Sequence, residues 1–86
     1  MDLQAAVMQE VVIGFFTEES AQLWFWEYGD AVERIAEKRL SPKGDCSPHL
    51  LVKMNAPTDL IDNIYPEGKI MEKSFEDYDG QILASL

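Results

Sequence analysis

Residues 23–28 read Leu-Trp-Phe-Trp-Glu-Tyr, which places four aromatic side chains within five consecutive positions. On a helix, successive side chains point about 100° apart, so one face cannot contain all four rings. A chain of 86 residues has only one thin core in which to bury them. Part of this aromatic surface must therefore pack beneath a second element or remain exposed for a binding partner.

Carboxylates far outnumber basic groups in this chain. Sixteen Asp and Glu residues oppose seven Lys and Arg, which gives a formal net charge of −9, and residues 1–33 contain no Lys or Arg. Such a charge repels nucleic acid and anionic membranes and attracts basic partners. We therefore expect no direct nucleic-acid binding, no membrane binding and a basic protein as partner. An acidic surface can also serve solubility alone.

The cysteine content and the apolar runs bear on the compartment. Cys46 is the only cysteine, so no disulfide can form within the chain, which is typical of a reducing compartment. The start of the sequence has no basic region ahead of an apolar one, and the apolar run 11–16 is far shorter than the ~20 residues of a membrane span. We expect a soluble cytoplasmic protein with one domain, residues 1–86.

The pattern from Thr17 to about Leu40 predicts one long helix. Thr17 is a favourable N-cap, and Glu18 and Glu19 would lie in the first turn, where the helix dipole favours negative charge. The apolar residues that follow recur at helical spacing. They are Ala21, Trp24, Phe25, Tyr28, Val32, Ile35 and Ala36. The segment 41–44, Ser-Pro-Lys-Gly, is expected to end the helix.

Shorter helices are predicted on both sides of this long one, at 2–16, after Ser47-Pro48, after Thr58, and along a C-terminal apolar stripe from Met71 to Leu86. The fold class is therefore predicted to be mostly α, a bundle of four to five helices around a central helix at about 18–40. The alternative is an α+β fold, with short strands near 11–16 and 50–54 or with a C-terminal hairpin turning at Asp79-Gly80.

Groups suited to catalysis or metal binding are few. Cys46 and His49 form a Cys-x-x-His pair, but the sequence contains no further Cys or His to complete a zinc site. No phosphate-binding loop or dinucleotide fingerprint is present. We therefore predict that the chain is not an enzyme and has no catalytic residues, no metal and no cofactor.

Projection of residues 17–40 onto a helix divides the aromatic run. Trp24, Phe25 and Tyr28 fall on the apolar side and are predicted core residues. Leu23 and Trp26 fall on the opposite side, with the carboxylates Glu19, Asp30, Glu33 and Glu37. Either the N-terminal or C-terminal helix covers this side, or these six residues form a partner-binding site. In the second case Trp26 is the anchor and the carboxylates are a rim that selects a basic partner.

The expected function is that of a small acidic protein-binding protein. Size, charge and the scarcity of catalytic groups favour an inhibitor-type protein, such as an immunity or phage counter-defence protein, that blocks a basic, nucleic-acid-acting partner. Mimicry of nucleic acid requires the same sign of charge. No motif identifies such a family. The alternative is a regulatory or adaptor subunit, or a homodimeric interaction module, with no inhibitory role.

Overall fold

The protein is built on one antiparallel sheet, seen in a computed structural model that describes residues 7–41 and 47–85. The described strands are β1 (Met8–Phe15), β2 (Glu33–Arg39), β3 (Leu50–Pro57), β4 (Gly68–Ile70) and β5 (Gln81–Ser85). They lie in the order β4-β1-β3-β2-β5. Helix α1 (Glu18–Tyr28) joins β1 to β2, and the one-turn helix α2 (Thr58–Ile61) lies between β3 and β4.

The neighbouring inner strands β1 and β3 are the most apolar part of the described chain. Every residue of 11–15 is buried, and so is all of 50–54 except Lys53. The strands pair with each other from Met8 opposite Pro57 to Phe15 opposite Leu50. Because each also pairs with a second strand and is covered on both faces, the sequence shows a continuous apolar run rather than an alternation.

The core has two layers, one on each face of the sheet. The front face is the one on which α1 packs, and its core includes Ile13, Phe15, Val52 and Met54. The back face holds Val12 and Leu51, covered by Phe75 and its neighbours in the segment 71–78. Residues of one strand therefore alternate between the two layers.

The prediction of a mostly α-helical bundle of four to five helices is wrong, because the described residues form a sheet with one helix longer than a single turn. Residues 11–15 of the apolar run 11–16 lie in β1, and 50–54 lies in β3, as in the alternative α+β interpretation. Its C-terminal hairpin is absent from the described residues, since β5 pairs with β2 and not with a neighbour in sequence. β-branched residues and pairing between distant strands outweigh the helical spacing.

The predicted long helix at 18–40 is also wrong in its second half. Thr17 is the N-cap as predicted, and its side chain accepts a hydrogen bond from the Ser20 amide at 2.9 Å. The helix ends at Tyr28, however, and a 3₁₀ turn over Gly29–Ala31 leads into β2. Glycine weakens a helix by roughly 1 kcal/mol relative to alanine, and pairing of β2 with β3 then sets the strand conformation.

The predicted C-terminal helix is replaced by a 3₁₀ turn at Phe75–Asp77 and by strand β5. The first apolar residues of the predicted stripe, Met71, Phe75 and Tyr78, do contact the back face. Residues 2–6, 42–46 and Leu86, on which parts of the helix predictions fall, lie outside the described residues. Among the described residues, no helix has the length and apolar character needed to cross a membrane.

Candidate partner-binding surface

The buried side of α1 is an aromatic cluster centred on Trp24. Its side chain is 2% exposed, and its indole Nε1–H donates a hydrogen bond to the Asn63 carbonyl oxygen at 3.1 Å. The Trp24 ring centroid lies 5.9 Å from that of Phe15, 5.2 Å from that of Phe25 and 5.1 Å from that of Tyr28. The prediction of a core position is confirmed for Trp24, whereas Phe25 and Tyr28 are partly buried and pack against the core.

The opposite side of α1 exposes the other two apolar residues of the run. Trp26 is 91% exposed and Leu23 is 67% exposed. Residues three apart are neighbours on a helix surface, so the two side chains lie side by side. No element among residues 7–41 and 47–85 covers them, and the interpretation that a C-terminal helix buries them is wrong for this part of the chain.

Trp26 lines a groove of about 640 Å³ that lies between α1 and the strands β2 and β5. Phe25 and Leu83 give this groove an apolar wall. The Arg34 guanidinium lies 4.7 Å from the centre of the Phe25 ring, and its Nη1 is 3.5 Å from Oε2 of Glu37. The groove therefore combines an exposed indole with apolar side chains and with the ion pair between Arg34 and Glu37.

Leu23 lines a second, smaller groove of about 280 Å³ on the other flank of α1, together with Tyr65, Glu27 and Glu67. Loss of solvation raises the pKa of the Tyr28 phenol above its ordinary value of 10.0, and the negative charges of Glu27 and Glu67 raise it further. Beyond the effect of lost solvation, the contributions of Glu27 and Glu67 to the raised pKa are those of negative charges close to Tyr28 on this flank.

The structure brings some of the predicted carboxylates to this surface. Glu19 is exposed one turn before Leu23 on α1, and Asp30 is exposed in the 3₁₀ turn that follows the helix. Glu37 lines the same groove as Trp26, from strand β2. The single helical stripe that was predicted for these carboxylates is nevertheless wrong, because α1 ends before Glu33.

Glu33 lies on the other side of the molecule. It pairs with Asn55 across β2 and β3, and its Oε1 accepts a hydrogen bond from the Asn55 side-chain amide at 3.0 Å. Asn55 alternates with Met54 and Ala56 of the front core, so both Asn55 and Glu33 point to the back face. Glu33 is thereby removed from the candidate site.

Sequence reasoning missed four residues of this side of α1 and of the two grooves beside it. Glu27 lies four residues after Leu23 on the same helix, and this spacing alone could have identified it. Leu83, Tyr65 and Glu67 come from other parts of the chain, and only the tertiary structure shows that they line the two grooves. We use the term α1 surface for Glu19, Leu23, Trp26 and Glu27.

The α1 surface keeps its negative charge. Both arginines of the chain lie on the front side, but Arg39 contacts Glu18 and Arg34 contacts Glu37. Within the described part of the chain, Glu19 and Glu27 form no ion pair. A partner that covers Leu23 and Trp26 would therefore meet beside them two carboxylates that no described cation pairs with.

The described residues contain no group of three or more His, Cys, Asp or Glu side chains arranged to hold a metal ion. His49 is half-buried at the end of the loop before β3. Cys46, its partner in the Cys-x-x-His pair, lies outside the described residues.

Comparisons of this chain with protein-family models, curated proteins and solved structures find no match. The element order β-α-β-β-α-β, to which β5 is added, is that of ferredoxin-like folds. That arrangement supports many unrelated functions, so function must be argued from the residues of the surface.

Proposed function

We propose that this chain is a small acidic protein-binding protein that uses the α1 surface to bind and inhibit a basic protein. The observation that carries the proposal is the exposure of Trp26 beside Leu23, among carboxylates without cationic partners in the described residues. Tryptophan is favoured among the residues that dominate binding energy, and such residues are commonly surrounded by a polar rim.

Energetics support a binding role for Trp26. Leaving a large aromatic side chain in water forgoes roughly 3 kcal/mol of burial energy, which is a large part of the stability of a small domain. Trp24, two residues away, is buried in the folded chain and gains this energy on folding. An exposed Trp26 recovers it only when a partner covers the α1 surface.

The charge distribution supports a basic partner. The net charge of −9 attracts proteins with positive clefts and accelerates their association. Positive clefts of this kind commonly hold nucleic acid, and an acidic protein seated in one excludes the nucleic acid. We therefore propose a nucleic-acid-acting protein as the target and the reducing cytoplasm as the compartment.

Capture of the partner with matched variants tests this proposal. The tagged chain, Trp26→Ala and the control Val7→Ala are each incubated with an extract of the source organism, and bound proteins are identified by mass spectrometry. We expect the wild-type chain and Val7→Ala, which shortens another exposed apolar side chain, to retain the same basic protein. Trp26→Ala is expected to lose it.

A competition assay then tests inhibition. The captured protein is mixed with labelled nucleic acid, and displacement is measured as the chain is added. Displacement by the wild-type chain and not by Trp26→Ala would support an inhibitor. Capture of the same protein by all three baits would contradict a binding role for Trp26. A complex that still binds nucleic acid would instead favour the adaptor interpretation.

A further inference from the structure

The two edges of the sheet differ in how well they are protected against pairing with another strand. β4 is an edge strand of only three residues, it contains Lys69, and Pro66 precedes it. Short length, lysine and proline are the usual features that prevent edge-to-edge association. The β4 edge is therefore protected.

The β5 edge has five residues and contains neither lysine nor proline. Its register against β2 shifts between Ala84 and Ile82, which makes Leu83 a bulge residue. A bulge is also a protective feature, so β5 has one such feature where β4 has three. The sequence of β5 is Gln-Ile-Leu-Ala-Ser, and it is the one strand of the described chain without a charged residue. Ile82 and Leu83 are exposed, on a protein whose other exposed surfaces are rich in carboxylates. Within the described residues β5 pairs only with β2, and no described strand pairs with the other side of its backbone.

We propose that β5 is the dimerisation edge of this protein and that it pairs antiparallel with β5 of a second copy. About a twofold axis the two β5 strands run antiparallel, and Leu83, which the register shift leaves without a partner on β2, lies at the centre of the contact. The product is a continuous sheet built from two copies of the five-stranded sheet. Its remaining edges are the two protected β4 strands, so assembly stops at the dimer.

Charge explains why a second copy suits this edge better than the basic partner. A basic strand placed along β5 would meet no carboxylate on that strand. Each copy has a net charge of −9, so two copies repel each other. Pairing through uncharged strands places no like charges directly opposite each other, and β5 is such a strand. The dimer does not depend on the function proposed for the α1 surface.

The molar mass of the chain in solution tests this dimer. Light scattering after gel filtration is measured over a range of protein concentrations at moderate salt. We expect the mass to rise with concentration from 9.8 kDa toward twice that value. A mass that stays at the monomer value at every concentration would overturn the proposal.

Matched lysine variants identify the surface. Leu83→Lys on the β5 edge is expected to shift the mass to that of the monomer. Ile70→Lys on the protected β4 edge is the control, since Ile70 is 43% exposed and Leu83 is 41% exposed, and it is expected to leave the dimer intact. Circular dichroism verifies folding, and Ile82→Lys replaces Leu83→Lys if the latter does not fold.

Two results would place a dimer elsewhere and overturn the proposal. The first is a dimer that persists in folded Leu83→Lys and Ile82→Lys. The second is a dimer that Trp26→Ala abolishes, because the contact would then be the α1 surface and not β5. Loss of the dimer in Trp26→Ala would also remove Trp26 from the proposed basic-partner site. Failure of β5 pairing alone would leave the proposed function of the α1 surface unaffected.

Discussion

Trp24 and Trp26 lie two residues apart on α1 and have opposite environments. Trp24→Ala removes a ring that contacts Phe15, Phe25 and Tyr28, so we expect a loss of about 3–5 kcal/mol in the free energy of unfolding. Trp26→Ala removes a side chain that is already in water, and we expect a change within about 0.5 kcal/mol. Urea unfolding followed by circular dichroism measures both. A large loss for Trp26→Ala would place it in the core.

Lys38 is a second residue whose role the sequence concealed, since its position between Glu37 and Arg39 is typical of a solvated face. The structure buries it at 5% exposure on the back face. Its Nζ donates hydrogen bonds to the carbonyl oxygens of Phe75 at 2.8 Å and Tyr78 at 2.9 Å. The ammonium also lies 4.5 Å from the Phe75 ring centroid. Through these contacts Lys38 stabilises the packing of the segment 71–78 on the sheet.

Lys38→Met tests this role. Methionine keeps most of the apolar volume but leaves two carbonyl groups without their donor, so we expect a loss of about 1–3 kcal/mol in the free energy of unfolding. Lys69→Met on exposed β4 is the control, with a change within about 0.5 kcal/mol. Equal free energies of unfolding for the two variants would contradict the role assigned to Lys38. A higher free energy of unfolding for Lys38→Met, which removal of a buried charge sometimes brings, would contradict it as well.

At the scale of elements, α1 depends on its N-terminal cap. The Thr17 hydroxyl accepts a hydrogen bond from the Ser20 amide, so Thr17→Ala is expected to lower the free energy of unfolding by about 1 kcal/mol. Thr58→Ala is the matched control, because α2 begins with no side-chain cap and Thr58 is exposed. Thermal unfolding of both variants measures the difference. Similar midpoints for the two would show that the cap does not stabilise α1.

The cap and the two sides of α1 could be predicted from sequence because they depend on neighbours within one or two turns. The end of α1 could not. Residues 33–39, Glu-Arg-Ile-Ala-Glu-Lys-Arg, are mostly strong helix formers, and their strand conformation is imposed by pairing with β3. Likewise Leu83 reaches the groove of Trp26 only through the pairing of β5 with β2, at a contact between segments distant in sequence.

At the scale of the whole molecule, the net charge of −9 gives the two proposed associations opposite salt dependence. Added salt screens attraction to a basic partner, so we expect that complex to weaken from low to physiological ionic strength. The same screening reduces repulsion between two copies of this chain, so we expect the β5 dimer to strengthen. Sedimentation over a salt series measures both equilibria. The same direction of change for the two would contradict the separate surfaces assigned to them.

The most direct test of the binding role of the α1 surface is the ratio of dissociation constants of Trp26→Ala and the wild-type chain for the captured basic partner, measured by titration calorimetry. Removal of a central aromatic anchor typically costs about 2 kcal/mol or more, so we expect binding to weaken by about 30-fold or more while folding is retained. An unchanged dissociation constant for folded Trp26→Ala would contradict the proposal that Trp26 is exposed in order to bind.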